Sequence, residues 1–277
     1  MPLLALSLIA VMVLPAVALA AQAPVELGTA SSFAVLAGQT ITNTGPTTIN
    51  GDAGGDVGIS PGSAFPGLAD VTLSGATHLG DAVALQAQND LATAYDEAAG
   101  RTPFTTIANE LGGATLKPGV YVSQTGPFEI TGTLTLDAEG DPDAVFIFKS
   151  ASSLVTAAGS NVVLLNDARY CRVFWQVTSS ATLGTGSHFV GHLFALTSIF
   201  VETEATVQGQ LLARNGEVTL DTNTIMNGLC PASTTPTPTV DGGELPKTGT
   251  PWYSMLLAGI VLMVLGGFGW RTRKTHA

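Results

Sequence analysis

Three threonines recur at nearly equal spacing in the later part of the chain. Thr185, Thr203 and Thr222 fall in one column when three successive segments of the sequence are aligned. A threonine combines a methyl group, which orders neighbouring water, with a hydroxyl that hydrogen-bonds to that water, and its β-branch restricts χ1. Regularly spaced threonines are therefore suited to holding water in a lattice-like arrangement on a rigid surface.

The same alignment gives two further columns of mostly small side chains. The second column holds Ser187, Ala205 and Thr224, and the third holds His188, Thr206 and Ile225. Further rows are expected upstream, from Ser74–Thr77, from Thr156–Gly159 and from Thr131 with Thr133. Threonine is also frequent on any exposed strand, which is the alternative explanation for these columns.

The repeat that carries the columns predicts the elements that position them. Its units are Ala181–Gly191, Ile199–Gly209 and Val218–Gly228, which start eighteen and nineteen residues apart. Two columns of large apolar residues accompany the threonines: Leu183, Val201 and Leu220, then Phe189, Val207 and Met226. β-Branched residues and a glycine at each corner are typical of a β-helix, whose coils stack on one another about 4.8 Å apart. An antiparallel β-sandwich is the alternative.

The rest of the domain fits the same scheme less regularly. Strand-like segments separated by Gly, Pro and Asp turns are Phe33–Asn43, Val71–Thr77, Gly119–Ile130, Leu134–Asp137, Ala144–Lys149 and Asn161–Leu165. Asp81–Ala99 differs, because its alanines and its apolar residues Val83, Leu85, Leu91 and Tyr95 precede a stop at Gly100. We expect one long helix here, packed against the flank of the solenoid.

From about Leu27 to Cys230 the sequence resembles the single-domain ice-binding proteins of bacteria, fungi and algae. The segments that carry the resemblance are Leu27–Gly38, Thr42–Gly51, Gly80–Ala92, Ala144–Phe148, Val173–Val177, Thr182–Ser187 and Leu212–Asp221. The resemblance implies a mostly β fold, namely a discontinuous, right-handed β-helix of triangular cross-section with one long helix alongside. It also implies binding of an ice crystal surface through a flat solenoid face, which often carries a loose T-A/G-x-T/N pattern.

Three positions depart from that pattern. Glu204 stands where the pattern has Ala or Gly, while His188 and Ile225 stand where it has Thr or Asn. A carboxylate holds water in its own geometry, so we expect Glu204 to reduce affinity for ice if it projects from the flat face.

The two ends of the chain predict export. Residues 1–23 are interpreted as a signal peptide, because an apolar run ends in the A-x-A pattern of Ala18, Leu19 and Ala20. The domain then spans residues 24–231, and residues 232–244 form a Pro/Thr/Gly-rich linker. No Lys or Arg precedes the apolar run.

The C-terminal segment resembles the LPxTG sorting signals of Gram-positive cell-wall proteins. Leu245, Pro246, Lys247, Thr248 and Gly249 precede an uncharged stretch at 252–270, which is long enough for a transmembrane helix, and a basic tail at 271–277. The resemblance implies transient membrane insertion, cleavage by sortase between Thr248 and Gly249, and covalent attachment of Thr248 to peptidoglycan. The expected location is therefore the bacterial cell surface, secreted and anchored to the wall. An ordinary C-terminal membrane tail is the alternative.

The charge of the domain argues against nucleic acid as a partner. Residues 24–230 contain six Lys or Arg against nineteen Asp or Glu, which leaves −13 and makes nucleic acid an unlikely ligand. We expect a monomer that has no cofactor. Cys171 and Cys230 are either one disulfide or two buried thiols. The four histidines show no metal-ligand spacing with the cysteines, so no metal site is expected.

Two other functions compete with ice binding. Many β-helices cleave acidic polysaccharides with clustered carboxylates, for which the candidates are Asp52 with Asp56, and Asp137, Glu139, Asp141 and Asp143. Both clusters lie among Gly and Pro, where Asp caps turns, and no nucleophile motif is present, so no catalytic residue is assigned. The other alternative is a wall-anchored adhesin that binds glycan or protein with the same scaffold.

Overall fold

The computed structural model describes residues 22–52, 54–228 and 230. One α-helix, α1, spans Ala82–Gly100, and 3-10 segments lie at Gly28–Ser32, Leu68–Asp70 and Tyr170–Arg172. The strands are β1 Phe33–Ala37, β2 Ile41–Thr44, β3 Thr47–Asn50, β4 Asp56–Ile59, β5 Val71–Leu73, β6 Thr77–Leu79, β7 Thr105–Ile107, β8 Thr115–Leu116, β9 Gly119–Ser123, β10 Phe128–Ile130, β11 Thr133–Asp137, β12 Phe146–Ser150, β13 Leu154–Thr156, β14 Asn161–Leu165, β15 Val173–Val177, β16 Ala181–Leu183, β17 His188–Ala195, β18 Ile199–Val201, β19 Thr206–Ala213, β20 Val218–Asp221 and β21 Thr224–Met226.

The strands form a solenoid with three faces. The side face is the sheet β10-β13-β16-β18-β20-β2. A larger sheet covers the other two faces, because β17 pairs with β14 at its start and with β15 at its end. The threonine face consists of β8, β11, β14, the first halves of β17 and β19, β21, β3 and β5. The helix face consists of β7, β9, β12, β15, the second halves of β17 and β19, β1, β4 and β6.

Every strand pairing among the described residues is parallel, which confirms the β-solenoid and excludes the antiparallel sandwich. The coils do not stack in chain order. β1, β2 and β3 pair with β19, β20 and β21, so the N-terminal coils extend the C-terminal end of the stack. The solenoid is therefore discontinuous, as expected, while its right-handedness stays a prediction.

Two glycines let β17 and β19 turn the corner between the threonine face and the helix face without breaking. Gly191 and Gly209 are in register and have φ of 114° and 145°, a conformation that L side chains rarely adopt. A β-carbon at Gly209 would overlap the carbonyl oxygen of Gly191. The next residue in this column is Asn227 and not the expected Gly228, because Met226 pairs with Gln208.

The helix is where the sequence predicts it. Asp81 caps its N-terminus, since the carboxylate accepts a hydrogen bond from the backbone N–H of Ala84 at 2.9 Å. This bond is the main cause that lowers the pKa of Asp81. At the other end, Lys149 donates to the carbonyl oxygens of Ala99 and Arg101 at 3.1 and 2.8 Å. Both ends of the helix are thus satisfied by side chains.

The buried stripe of α1 agrees with the expected one at Leu91 and Tyr95 and differs from it at Val83 and Leu85. Val83 and Leu85 are 48% and 52% exposed. The buried residues are Ala84, Ala87, Leu91, Ala94, Tyr95 and Ala98. These positions recur every three or four residues, so they lie on one helical face. The four alanines among them let the helix approach the sheet, where the stripe packs on side chains such as Phe174, Phe194 and Leu212.

The interior of the solenoid is filled by stacked apolar columns. Phe148 stacks on Trp175 with ring centroids 4.0 Å apart, and the Trp175 indole donates to the carbonyl of Val190 at 2.9 Å. Leu183, Val201 and Leu220 form the predicted buried column. A filled core fixes the position of each face, because close-packed interiors resist deformation.

Cys171 and Cys230 form a disulfide bond, so the alternative of two free thiols does not apply. Among the described residues no helix is long and apolar enough to cross a membrane. Most of the signal peptide at 1–23 lies outside the described residues, as do the linker at 232–244, the motif at 245–249, the apolar stretch at 252–270 and the tail at 271–277.

Candidate ice-binding face

An outward-facing column runs along the threonine face for seven successive rungs. Its members, each in register with the next, are Thr133, Asn161, His188, Thr206, Thr224, Thr48 and Thr72. Adjacent rungs of a parallel sheet lie about 4.8 Å apart, so the column is about 29 Å long. All seven side chains are polar, and all are exposed or half-buried.

A second outward column, more apolar, lies beside the first. Its members are Thr135, Val163, Gln208, Met226 and Asn50, while Val190, which is in register with Gln208, is only 7% exposed. A shallow groove between the columns is lined by residues of both, among them Thr206 and Met226. Buried residues such as Phe189, Val207 and Ile225 support the face from below. The face is therefore two residues wide, regular and rigid.

The predicted alignment of the columns on this face is correct for the first two coils. In the third coil it is one residue out of register. Thr206 pairs with Thr224, and Val207 pairs with Ile225, so Ile225 is a core residue and not a surface one. The spacing of eighteen and nineteen does hold on the side face, where Ala181, Ile199 and Val218 are in register. The corner after Leu220 is one residue shorter than the corner after Val201. On the threonine face the spacing between equivalent residues is therefore eighteen again, from Thr206 to Thr224.

Two predicted surface residues are inside the solenoid. Ser187 is 1% exposed and Ala205 is 0% exposed, so neither reaches an external surface. Asn223 occupies the equivalent place in the next coil, where its amide donates to the carbonyls of Glu202 and Ala205 at 2.8 and 3.1 Å. Small or hydrogen-bonded side chains at this position let the chain turn tightly into the threonine face.

The corner threonines lie at the edge of the face, and only two of the three share a column. The backbone ladder places Thr185 beside Thr203 and then Asp221, instead of Thr222. Thr203 and Thr222 both donate their hydroxyls to the Asp221 carboxylate. These two hydroxyl protons are therefore engaged within the protein, whereas Thr185 is exposed.

Glu204 occupies a left-handed position at this same corner, with φ of 60°. Gly159 and Gly186 hold the equivalent positions with φ of 65° and 61°, and Thr222 does so with φ of 56°. The Glu204 side chain is exposed at the margin of the face and does not belong to either outward column. We therefore expect the Glu204 carboxylate to disturb bound water only at the edge of the threonine face.

The upstream rows are only partly as expected. Thr133 joins the outward column, and Thr131 is exposed just before the corner at Gly132. Thr77 lies in β6 on the helix face. Thr156 is buried, and its hydroxyl accepts a hydrogen bond from the backbone N–H of Gly184 at 2.9 Å.

Sequence reasoning missed three members of the column: Asn161, Thr48 and Thr72. Asn161 lies in a segment that is predicted as a strand. Only the register between this strand and β17 was needed to assign it to the column. Thr48 and Thr72 extend the column beyond Thr224 because the N-terminal coils stack there. Polar–apolar alternation predicts a short strand at Thr48-Ile49-Asn50, but no local signal gives its pairing with β21.

The other faces are less suited to a flat ligand. The helix face is covered by α1. The side face has short strands with one central outward residue each, and this row includes Glu129 and Phe200 beside Thr182 and Thr219. The two outward columns of the threonine face carry no Asp, Glu, Lys or Arg, although the domain is strongly acidic.

Three of the carboxylates considered for catalysis, Asp56, Asp137 and Asp141, accept hydrogen bonds from backbone N–H groups, while Glu139 and Asp143 form ion pairs with Lys117 and Arg172. Asp137 accepts from the backbone N–H of Glu139 and from the Asn166 amide, both at 2.8 Å, and these bonds lower its pKa. Asp56 accepts from the backbone N–H of Ala76 at 2.8 Å. Among the described residues, no group of three or more His, Cys, Asp or Glu is placed to hold a metal ion.

Comparisons with known proteins agree with this architecture. The Ice-binding-like family model matches residues 35–226. An ice-binding protein from Nostoc sp. (strain HG1) is 47% identical over 204 residues, which is 73% of each chain. A crystal structure of an ice-binding protein from an Antarctic biological consortium superposes with a TM-score of 0.72 at 43% identity, over 76% of this chain and 93% of the other. That from Antarctomyces psychrotrophicus gives a TM-score of 0.69 at 40% identity, over 73% and 98%. The chain therefore belongs to the Ice-binding-like family.

Proposed function

We propose that the domain adsorbs to ice through the threonine face and inhibits ice growth or recrystallisation. The observation that carries the proposal is the unbroken outward column on a broad face that α1 does not cover. Ice presents a flat, uncharged surface, so binding it requires many weak contacts made at once by a rigid array. The neutral columns meet this requirement, and relatives named as ice-binding proteins share the fold.

A pair of matched substitutions tests the face. Thr224→Arg places a strongly hydrated cation in the middle of the outward column, and desolvating a charge is costly, so we expect ice activity to fall by at least about tenfold. Thr219→Arg makes the same change in the same coil on the side face. It should leave thermal hysteresis and partitioning into ice near the parent values.

Both variants need a thermal unfolding scan, since their melting temperatures should agree. Equal loss of ice activity in two folded variants would contradict the assignment of the face. Full activity in Thr224→Arg would exclude it. If the parent domain were folded but inactive, the wall-anchored adhesin would become the leading function.

We also propose that the protein is displayed on the wall of a Gram-positive cell. The support is the sequence order alone, with the sorting motif, an apolar stretch and a basic tail following the linker. Sortase and peptidoglycan would be the partners after export and transient membrane insertion. A wall-attached ice-binding domain holds the cell at an ice surface or protects its envelope from crystal growth.

Display is tested in the full chain with two proline substitutions. Pro246→Ala changes the motif, whereas Pro238→Ala changes only the linker. We expect the parent and Pro238→Ala to leave washed cells only after peptidoglycan is digested. Pro246→Ala should stay in the membrane fraction or the medium. Wall attachment of Pro246→Ala, or release of the parent by detergent alone, would contradict the proposal.

A further inference from the structure

His188 is the one titratable side chain in the two outward columns of the threonine face. It is exposed, and its neighbours above and below in the column are Asn161 and Thr206. Its Nδ1 atom lies 2.7 Å from Thr206 Oγ1. Histidine is the side chain whose charge ordinarily changes between pH 5 and 8. The face thus carries one imidazole ring among side chains that do not ionise.

The strands beside His188 offer no charge that would compensate an imidazolium ion. The outward residues of β14 and β19 are Asn161, Val163, Thr206 and Gln208, and those of β21 are Thr224 and Met226. Charged groups lie at the corner that precedes the face. They are Glu202 and Glu204, both exposed, and Asp221, whose carboxylate already accepts the Thr203 and Thr222 hydroxyls.

Protonation changes the face in two ways. In the neutral ring one nitrogen accepts, so Nδ1 is able to take the hydroxyl proton of Thr206 as a hydrogen bond. In the imidazolium ion both nitrogens donate, so Thr206 Oγ1 must accept and its own proton must turn away. The cation also orders water around itself, in competition with an ice-like arrangement.

We propose that the charge state of His188 sets the affinity of the threonine face for ice, with strong binding when the ring is neutral and weakened binding when it is protonated. This inference rests on the proposed function. His188 would then allow adsorption in neutral or alkaline solution and oppose it in acid. The proton is exchanged with the solvent, and Thr206 rotates its hydroxyl in response.

The test measures ice activity of the purified domain at two pH values in the parent and two variants. Between about pH 8 and about pH 5, thermal hysteresis of the parent should fall at least about twofold. His188→Thr restores a neutral column and should change little between these values. His188→Lys carries a fixed cation and should be weak at both.

The other described histidines serve as internal controls, because all three proteins retain them. Burial lowers the pKa of His192 to about 4, so this ring stays neutral over most of the range. His78 lies 2.8 Å from the Asp81 carboxylate at the start of the helix. Circular dichroism at both pH values checks that each protein is folded. Any effect of His78 would appear equally in His188→Thr.

The outcomes separate the two proposals. Equal dependence on pH in the parent and in His188→Thr would overturn the role of His188 while leaving ice binding intact. Parent activity that is constant with pH, or His188→Lys that is as active as the parent, would overturn it as well. Absence of ice activity in the folded parent at both pH values would refute the proposed function and this inference together.

Discussion

Gly209→Ala should destabilise the domain by about 3 kcal/mol or more, because it strains the backbone and forces atoms to overlap. Gly209 has φ of 145°, and its β-carbon would meet the carbonyl oxygen of Gly191 in the next coil. Relief would require the coils to separate at a corner where β17 and β19 are continuous. The free energy of unfolding, measured by urea titration with circular dichroism, checks the prediction.

Gly186→Ala is the matched control for this experiment. Gly186 also has a positive φ, of 61°, but a β-carbon there would meet nothing within 4 Å. The control therefore isolates the cost of a left-handed backbone, which is about 1 kcal/mol. Equal destabilisation by the two substitutions would show that stacking at the Gly191–Gly209 corner is not tight.

Removal of the disulfide should have an effect of similar size. Cys171 and Cys230 are 59 residues apart, so the bond restricts a long loop in the unfolded chain and contributes about 4 kcal/mol. For a domain of this size, the melting temperature should fall by roughly 10 °C. The bond also fastens the chain just after β21, on which the N-terminal coil is stacked.

Single and double serine substitutions at the two cysteines test this estimate. Cys171→Ser, Cys230→Ser and the double variant should lose equal stability, and a reducing agent should lower the melting temperature of the parent alone. A parent whose melting temperature is unchanged under reducing conditions would contradict the prediction. Ice activity measured near 0 °C should persist in all folded variants, because neither cysteine belongs to the threonine face.

Much of the fold could be predicted because its signals are local. The alanine-rich helix, its stop at Gly100 and the glycine corners are short patterns with direct physical causes. The stripe of α1 was predicted correctly at Leu91 and Tyr95 and wrongly at Val83 and Leu85, because large apolar residues were weighted above alanines. In a helix packed closely on a sheet, alanine is favoured at the contact, and Val83 and Leu85 are exposed beside it.

The candidate site was harder to predict because register depends on corner lengths. A one-residue difference after Leu220 moves Thr224 into the Thr206 column and Ile225 into the core. Pairing between β21 and β3 joins residues that are far apart in the sequence. Local patterns do not encode this order of coils, so the threonines of the N-terminal coils could not be assigned from them.

Ice-affinity partitioning of the purified domain, residues 24–230, tests the central claim most directly. Ice is grown slowly from a solution that contains the domain and a folded reference protein of similar size that has no affinity for ice. We predict that the domain is enriched in the ice fraction, that it shapes crystals, and that the reference protein stays in the liquid. A folded domain that is excluded from ice as fully as the reference would contradict the account.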